Sequence, residues 1–216
     1  MVKVSDLIAE FLKEKGIDTA FGIIGSANSH IFDSIHKLGY TKIVNVHNEQ
    51  SAVIAMGAYY RASGKLSVAL VTAGGGTTNA VTGVVSNWAD SIPGLIISGQ
   101  ENYNYVVSQE HMRMYGTQGL NASKMVKKVT KKAVAFYEGM DIQSTLEQLH
   151  ELSNSGRPGP CWLDVPMNLQ AKTVERREWK KPEQKRLNRI DVDDLIDSIN
   201  KSKSRCKVVW IQESFQ

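Results

Sequence analysis

With 216 residues, 42% of them hydrophobic and 22% charged, the chain has the make-up of an ordinary globular domain, with length enough for one sizeable core. No apolar run approaches the ~20 residues that a membrane span needs, which excludes a membrane partner from the reading. The net charge of +4 comes largely from the run between Lys172 and Arg189, where interleaved acids and Pro182 favour a solvated linker over a nucleic-acid patch.

The start, Met1 to Asp6, is not read as a signal peptide, because an acid and a helical pattern follow at once. Val4, Leu7, Ile8, Phe11 and Leu12 fall at i, i+3, i+4, i+7 and i+8, the stripe of a helix facing a core. Ser5 is the expected N-cap, and Gly16 is placed to end the helix in the left-handed conformation. Thr19 to Ile24 reads as a short buried strand, Gly25 to Ser29 as a loop, and Ile31, Phe32, Ile35 and Leu38 as the next helical stripe. Ile43 to His47 is a second strand, followed by a helix that ends near Gly64. Ser67 to Thr72, apolar on both faces, reads as a central strand of a parallel sheet. The turn Ala73 to Asn79 leads into a helix from about Ala80 to Trp88, and Gly94 to Ser98 is a fourth strand.

Residues 101–123 are polar and aperiodic, a length that inside a compact domain points to function. Ala133 to Tyr137 is strand-like, Ile142, Leu146 and Leu149 mark a helix, and Cys161 to Val165 is the sixth strand. Six alternations predict an α/β fold: a six-stranded, mostly parallel sheet flanked by helices on both faces. Cys161 and Cys206 lie far apart in apolar runs and read as buried, reduced thiols of a cytoplasmic protein. A helix from Val192 to Ile199 and a strand from Lys207 to Ile211 look like the opening of a second α/β domain. The expected organisation is therefore a domain over 1–170, a basic linker over 171–189 and the start of a truncated second domain over 190–216.

The candidate chemistry begins at Glu49. It stands where an apolar strand runs into a helix, at the C-terminal edge of a sheet, where open α/β sheets place their ligands. The other reading is a carboxylate helping the macrodipole of the helix it opens, worth roughly 0.3–1 kcal/mol. Gly74-Gly75-Gly76 could offer backbone N–H groups to an anion or be a tight structural turn; no Gly-Lys-Ser/Thr ending accompanies it. The five histidines show no zinc-ligand spacing, so no metal site is expected in this chain. No G-x-S-x-G motif supports a serine hydrolase.

Eight segments occur in the order and spacing of one family: Phe21-Gly22-Ile23-Ile24-Gly25, His47-Asn48-Glu49-Gln50, Arg61-Ala62-Ser63-Gly64-Lys65, Val71 to Asn79, Asp90-Ser91-Ile92-Pro93, Ser98-Gly99-Gln100, Thr130-Lys131 and Gly159 to Pro166. Over about residues 3–170 the chain resembles the N-terminal, pyrimidine-binding (Pyr) domain of thiamine-diphosphate enzymes of the acetolactate synthase type. The tail from about 190 looks like the start of that family's central domain.

The resemblance implies a lyase or transferase acting on a 2-oxo acid such as pyruvate, with thiamine diphosphate as cofactor. Glu49 matches the acid that hydrogen-bonds N1′ of the aminopyrimidine ring. Sharing a proton there shifts the ring toward its imino tautomer, whose nitrogen deprotonates thiazolium C2 to give the ylid. Ile24, Gly25 and Ser26 match a loop whose backbone approaches the reacting carbon, with Ser26 toward the substrate. Thr72, Gly75 and Asn79 match the turn beside the pyrimidine, although a purely structural turn fits them equally. Gln118 matches a glutamine that faces the substrate.

Ile24 stands where the family usually has Pro, Asn48 where it has His, and Thr117 where it has Phe. Arg113 to Asn121 is similar to synthase-like enzymes of surface-sugar biosynthesis, and Phe21 to Ala27 to the sulfoacetaldehyde acetyltransferase branch. In the family, the diphosphate and Mg²⁺ are held by a separate domain carrying Gly-Asp-Gly, and the site forms between two subunits. No Gly-Asp-Gly occurs here. The resemblance thus implies a homodimer or homotetramer, and a chain that is inactive without a diphosphate-binding domain or subunit. The alternative is a non-catalytic Pyr-fold subunit used for binding or assembly.

Overall fold

The N-terminal stripe folds as its 3.6-residue period requires. Helix α1 (Val4–Glu14) buries Val4, Leu7, Ile8, Phe11 and Leu12, and Gly16 follows it at a φ of 66°, the left-handed position that spares a Cβ its steric penalty. Ser5 is not the N-cap. The helix begins one residue earlier, Lys3 caps it without a side-chain bond, and Ser5 is buried with its hydroxyl bonded to that of Ser34 at 2.9 Å. In this computed structural model residues 1–179 and 192–202 are described. They belong to two compact units, Met1–Lys180 and Lys181–Gln216.

In the first unit a two-residue strand, β1 (Val2–Lys3), precedes α1. The alternating strands and helices are then β2 (Thr19–Gly22), α2 (Ser29–Leu38), β3 (Lys42–Asn45), α3 (Glu49–Ser63), β4 (Val68–Val71), α4 (Gly75–Ala89) and β5 (Gly94–Gln100). The polar stretch 101–123 holds two short helices, α5 (Tyr103–Ser108) and the start of α6 (Ala122–Val126), rather than a bare loop. β6 (Lys132–Ala135), α7 (Ile142–Asn154), β7 (Pro160–Pro166), α8 (Met167–Gln170) and β8 (Thr173–Val174) complete it.

Six strands form one sheet in the order β3-β2-β4-β5-β7-β6, and every pairing is parallel. The expected sheet is therefore present and wholly parallel. Along β4, Val68 and Leu70 enter one core while Ala69 and Val71 enter the other; along β7, Cys161 and Leu163 alternate with Trp162 in the same way. That period of two, with both faces apolar, is what a sheet covered on both sides demands. Residues of α1, α2 and α7 fill one core, and residues of α3, α4 and α6 fill the other.

Residues 171–179, expected in the linker, pack onto the first unit. Thr173 and Val174 pair antiparallel with Lys3 and Val2. Gln143, buried on α7, brackets Arg177 by accepting its N–H at 2.9 Å and donating to its carbonyl at 2.9 Å. Lys172 pairs with Glu138, Arg176 with Glu10, and Arg177 with Glu147. These cations of the basic run are thus occupied by carboxylates of the same unit. Trp179 stacks near Phe11, with ring centroids 5.7 Å apart.

The described part of the second unit is a helix, α9 (Val192–Lys201), with an i,i+4 ion pair between Asp197 and Lys201. The remainder of the expected linker and the expected strand Lys207 to Ile211 lie outside the described residues. Among the described residues no helix is long and apolar enough to cross a membrane.

Candidate active site

The strand order places a reversal between β2 and β4. The step from β2 leads outward to β3, while β4 and β5 build away on the other side. At such a switch point the loops leaving the carboxyl ends of the strands part and leave a crevice. The loops that leave β2, β3 and β4 are the three that carry Gly25, Glu49 and Thr72.

Glu49 opens α3. Asn48, in the extended conformation, is its N-cap, and its side chain accepts the N–H of Gln50 at 2.8 Å. Asn48 thus performs a capping role worth about 1 kcal/mol. Glu49 is only 7% exposed, and its Oε2 accepts a hydrogen bond from Nδ2 of Asn79 at 3.1 Å. A buried carboxyl is costly unless its oxygens find donors, and Asn79, one turn into α4, supplies one.

Glycines let the backbone pack close to this carboxyl and to Thr72. A Cβ on Gly76 would stand 2.7 Å from Cγ2 of Thr72 and 2.8 Å from Oε1 of Glu49. A Cβ on Gly25 would stand 2.4 Å from Oγ1 of Thr72. Oγ1 of Thr72 is buried without a hydrogen-bond partner, a state that structures rarely leave unexplained. Gly25 is held by its own N–H donating to Oδ1 of Asn28 at 2.7 Å, while Nδ2 of Asn28 donates to the carbonyl of Ile23 at 3.0 Å.

The Gly-rich turn enters α4 five residues earlier than the apolar stripe suggests. Gly74 adopts a φ of 69°, and the hydroxyls of Thr77 and Thr78 donate to the carbonyls of Thr72 and Gly75, both at 3.0 Å. These bonds close the first turn. Gly75 faces open space, with nothing within 4 Å of a Cβ built on it. Gly76, not singled out by the sequence reading, is the glycine that stands against Glu49.

Of the remaining expected residues, Ile24 is 59% exposed and Ser26 is exposed at the start of a 3₁₀ turn, Ser26–Asn28. Gln118 is half-buried, and its backbone and Cβ crowd Gly74, whose own Cβ would lie 2.6 Å from the Gln118 carbonyl oxygen. Glu49, Asn79, Thr72 and Gly25 are therefore brought together, with Gln118 at the margin through Gly74. An open groove of about 600 Å³ runs along α2 and β3 and meets this cluster at Ile24 alone.

A second buried carboxyl lies at the carboxyl end of β7. Asp164 accepts from Nε1 of Trp162 at 2.7 Å and from the N–H of Ser123 at 3.0 Å. Burial raises its pKa to about 7, against the lowering effect of those donors and of Ser98. The Ser98 hydroxyl in turn lies 3.3 Å from that of Thr77 on α4. Among the described residues no group of three His, Cys, Asp or Glu side chains is disposed to hold a metal.

A carboxyl held in place by Asn79 and an orphaned Thr72 hydroxyl nearby are hydrogen-bonding groups that fit a nitrogen-rich cofactor such as thiamine diphosphate. Residues 2–129, more than half of the chain, match the family described as thiamine pyrophosphate enzyme, N-terminal TPP binding domain.

The acetolactate synthase large subunit of Haemophilus influenzae is 35% identical over 162 residues, 75% of this chain and 27% of that protein. The acetolactate synthase isozyme 3 large subunit of Escherichia coli is 32% identical over 169 residues, 78% of this chain and 28% of that protein. The chloroplastic acetolactate synthase of Arabidopsis thaliana is 32% identical over 171 residues, 78% of this chain and 24% of that protein. The chain spans about a quarter of the length of these relatives. Sheet order, the crevice at Glu49 and the match over residues 2–129 lead to one assignment: the chain belongs to the thiamine pyrophosphate enzymes, as an N-terminal TPP-binding domain of the acetolactate synthase type.

Proposed function

We propose that this domain binds the aminopyrimidine half of thiamine diphosphate at Glu49, as one half of an acetolactate synthase-like site that acts on a 2-oxo acid such as pyruvate. The observation that carries the reading is the Glu49 carboxyl, buried, held by Asn79 and packed close against Gly76, with the Thr72 hydroxyl left unpartnered nearby. When bound, the cofactor supplies the carbanion chemistry at its thiazolium C2.

This chain's residues supply orientation and one proton. Glu49 holds or returns a proton at N1′ of the ring, and Asn79 fixes the carboxyl for that exchange. The Thr72 hydroxyl offers the ring edge the hydrogen bond it otherwise lacks. Gly25 and Gly76 let Thr72 and Glu49 pack close to the backbone, Gly75 contributes backbone only, and Ile24 and Ser26 border Gly25. Gln118 faces the substrate from the Gly74 side. The diphosphate and its Mg²⁺ are held by a domain or subunit beyond these residues, within a homodimer or homotetramer, so the chain alone turns nothing over. The buried, free thiol of Cys161 suits a cytoplasmic setting.

The test is a nuclear magnetic resonance titration of the chain with the free aminopyrimidine half of thiamine at millimolar concentration. Shifts should concentrate at Glu49, Thr72, Gly76 and Asn79, and Glu49→Gln should weaken binding about tenfold or more, the loss of one charge-assisted bond. Complementation with a diphosphate-binding domain should then give 2-oxo acid decarboxylation that Glu49→Gln abolishes. Binding and turnover that survive the substitution would overturn the assignment of Glu49. Binding without turnover in the complemented protein would favour the non-catalytic subunit.

A further inference from the structure

Glu101 plays no part in the reading above, yet it is a carboxyl only 7% exposed at the carboxyl end of β5. Its Oε1 accepts two consecutive backbone N–H groups, from Thr117 at 3.3 Å and Gln118 at 3.1 Å. Consecutive amides that converge on one anionic oxygen form a nest, and the charge strengthens both bonds. The turn around the carboxylate is built for it. Tyr115 and Gly119 exchange backbone hydrogen bonds at 3.1 and 2.8 Å, and Gly116 takes a φ of 59°. Cβ atoms at Gly116 and Gly119 would stand 2.7 Å from Oε2 and 2.8 Å from Cγ of Glu101. The backbone therefore closes on this side chain at two points where another residue would push it away.

Besides Glu101, the turn is held by the buried Tyr115 ring and by Oε1 of Gln109, which accepts the N–H of Gly116 at 2.7 Å. Helix α5, just before it, buries none of its residues, and Met112 and Met114 are exposed. Gln100 aligns the pair of strand and turn: its Nε2 donates to the carbonyl of Leu120 at 2.7 Å, and its Oε1 accepts the N–H of Glu101 at 2.9 Å. On the far side of the turn, Gln118 lies against Gly74 at the head of the Gly-rich turn, the contact in which a Cβ would meet Gln118 at 2.6 Å.

We propose that Glu101 is the positioning residue for Gln118: its buried carboxylate gathers the Tyr115–Gly119 turn and seats Gln118 against Gly74, at the mouth of the crevice. The catalytic consequence rests on the reading of Gln118 as substrate-facing. The positioning itself does not, and is measured without any ligand.

The experiment is amide hydrogen exchange on the full 216-residue chain, with the nuclear Overhauser contact between Gln118 and Gly74 as a spectroscopic readout of the seat. Three proteins are compared: wild type, Glu101→Ala and Glu101→Gln. In Glu101→Ala the amides of Thr117 and Gln118 should exchange about tenfold faster or more, and the Gln118–Gly74 contact should vanish. Amides of β5 and β7 should keep their rates. Glu101→Gln retains an acceptor oxygen and should restore both readouts in large part.

Glu101→Met fills similar space without an acceptor oxygen, and should show the same local acceleration if Glu101→Ala does not fold. Unchanged exchange and an intact contact in Glu101→Ala would overturn the proposal. So would equal acceleration across β5 and β7, or a Glu101→Gln protein that behaves like Glu101→Ala. Failure of the pyrimidine titration would refute the reading at Glu49 and leave these outcomes unaffected.

Discussion

Gly75 and Gly76 are adjacent, both open α4, and should respond in opposite ways to the same substitution. At Gly76 an added Cβ meets Cγ2 of Thr72 at 2.7 Å and Oε1 of Glu49 at 2.8 Å, about 0.6 Å or more inside ordinary van der Waals contact. Neither neighbour is the free end of a flexible chain, because Glu49 is held by Asn79 and Thr72 sits at the end of β4. Relief by shifting them costs about 1–3 kcal/mol, against roughly 1 kcal/mol that Ala returns over Gly within a helix. Gly76→Ala should therefore lose about 0–2 kcal/mol of stability and, with the Glu49 carboxyl displaced from its place beside Asn79, at least about tenfold in affinity for the aminopyrimidine.

At Gly75 a Cβ meets nothing within 4 Å, so Gly75→Ala should keep its affinity and gain up to about 1 kcal/mol. Urea unfolding and the pyrimidine titration on the two variants measure both quantities. Equal affinities for the two variants would refute the dependence of ring binding on the position of Glu49 against Gly76.

The pH dependence of stability should carry two opposed contributions. Burial, with a smaller effect from Lys15, lowers the pKa of His150 to about 4. Its neutral form is favoured by folding, so its stabilisation is present above pH ~6.5 and fades, by about 3 kcal/mol in total, as the pH falls toward 4. Asp164 has the opposite sign: with its folded pKa raised to about 7, the folded state holds a proton that the unfolded chain releases, and stability falls as the pH rises from about 4 through 7. Urea midpoints against pH should steepen with acid in Asp164→Asn, which leaves His150 alone, and a profile unchanged by that substitution would refute the sign. Gln143→Ala should free the Arg177 backbone from α7 and raise trypsin cleavage at Arg176 and Arg177 about tenfold, with the unfolding midpoint of the sheet little changed; resistance equal to wild type would contradict the bracket.

Much of the candidate site was legible because it is local. The apolar run into Glu49 and the helical spacing from Ala52 need only neighbours in the chain and put Glu49 at a strand-to-helix turn, whereas Gly25, Thr72 and Asn79 enter only through the family resemblance that eight short motifs carry. Glu101 was passed over although it shares one signal with Glu49, an acid at the carboxyl end of an apolar strand. Its partners, Thr117 and Gln118, lie in an aperiodic stretch that no pattern resolves.

By itself, then, the sequence determined the alternation of strands and helices, the two-sided burial of β4, and Glu49 as an acid at a strand-to-helix turn, since period and turn chemistry are properties of adjacent residues. Tertiary structure decided which glycine faces Glu49, which carboxyl seats Gln118, and that residues 171–179 close onto β1 and α7. Those outcomes depend on distances between segments from about fifteen to more than a hundred residues apart, where a single Cβ, or one pair of amides on a buried oxygen, settles which contact can form.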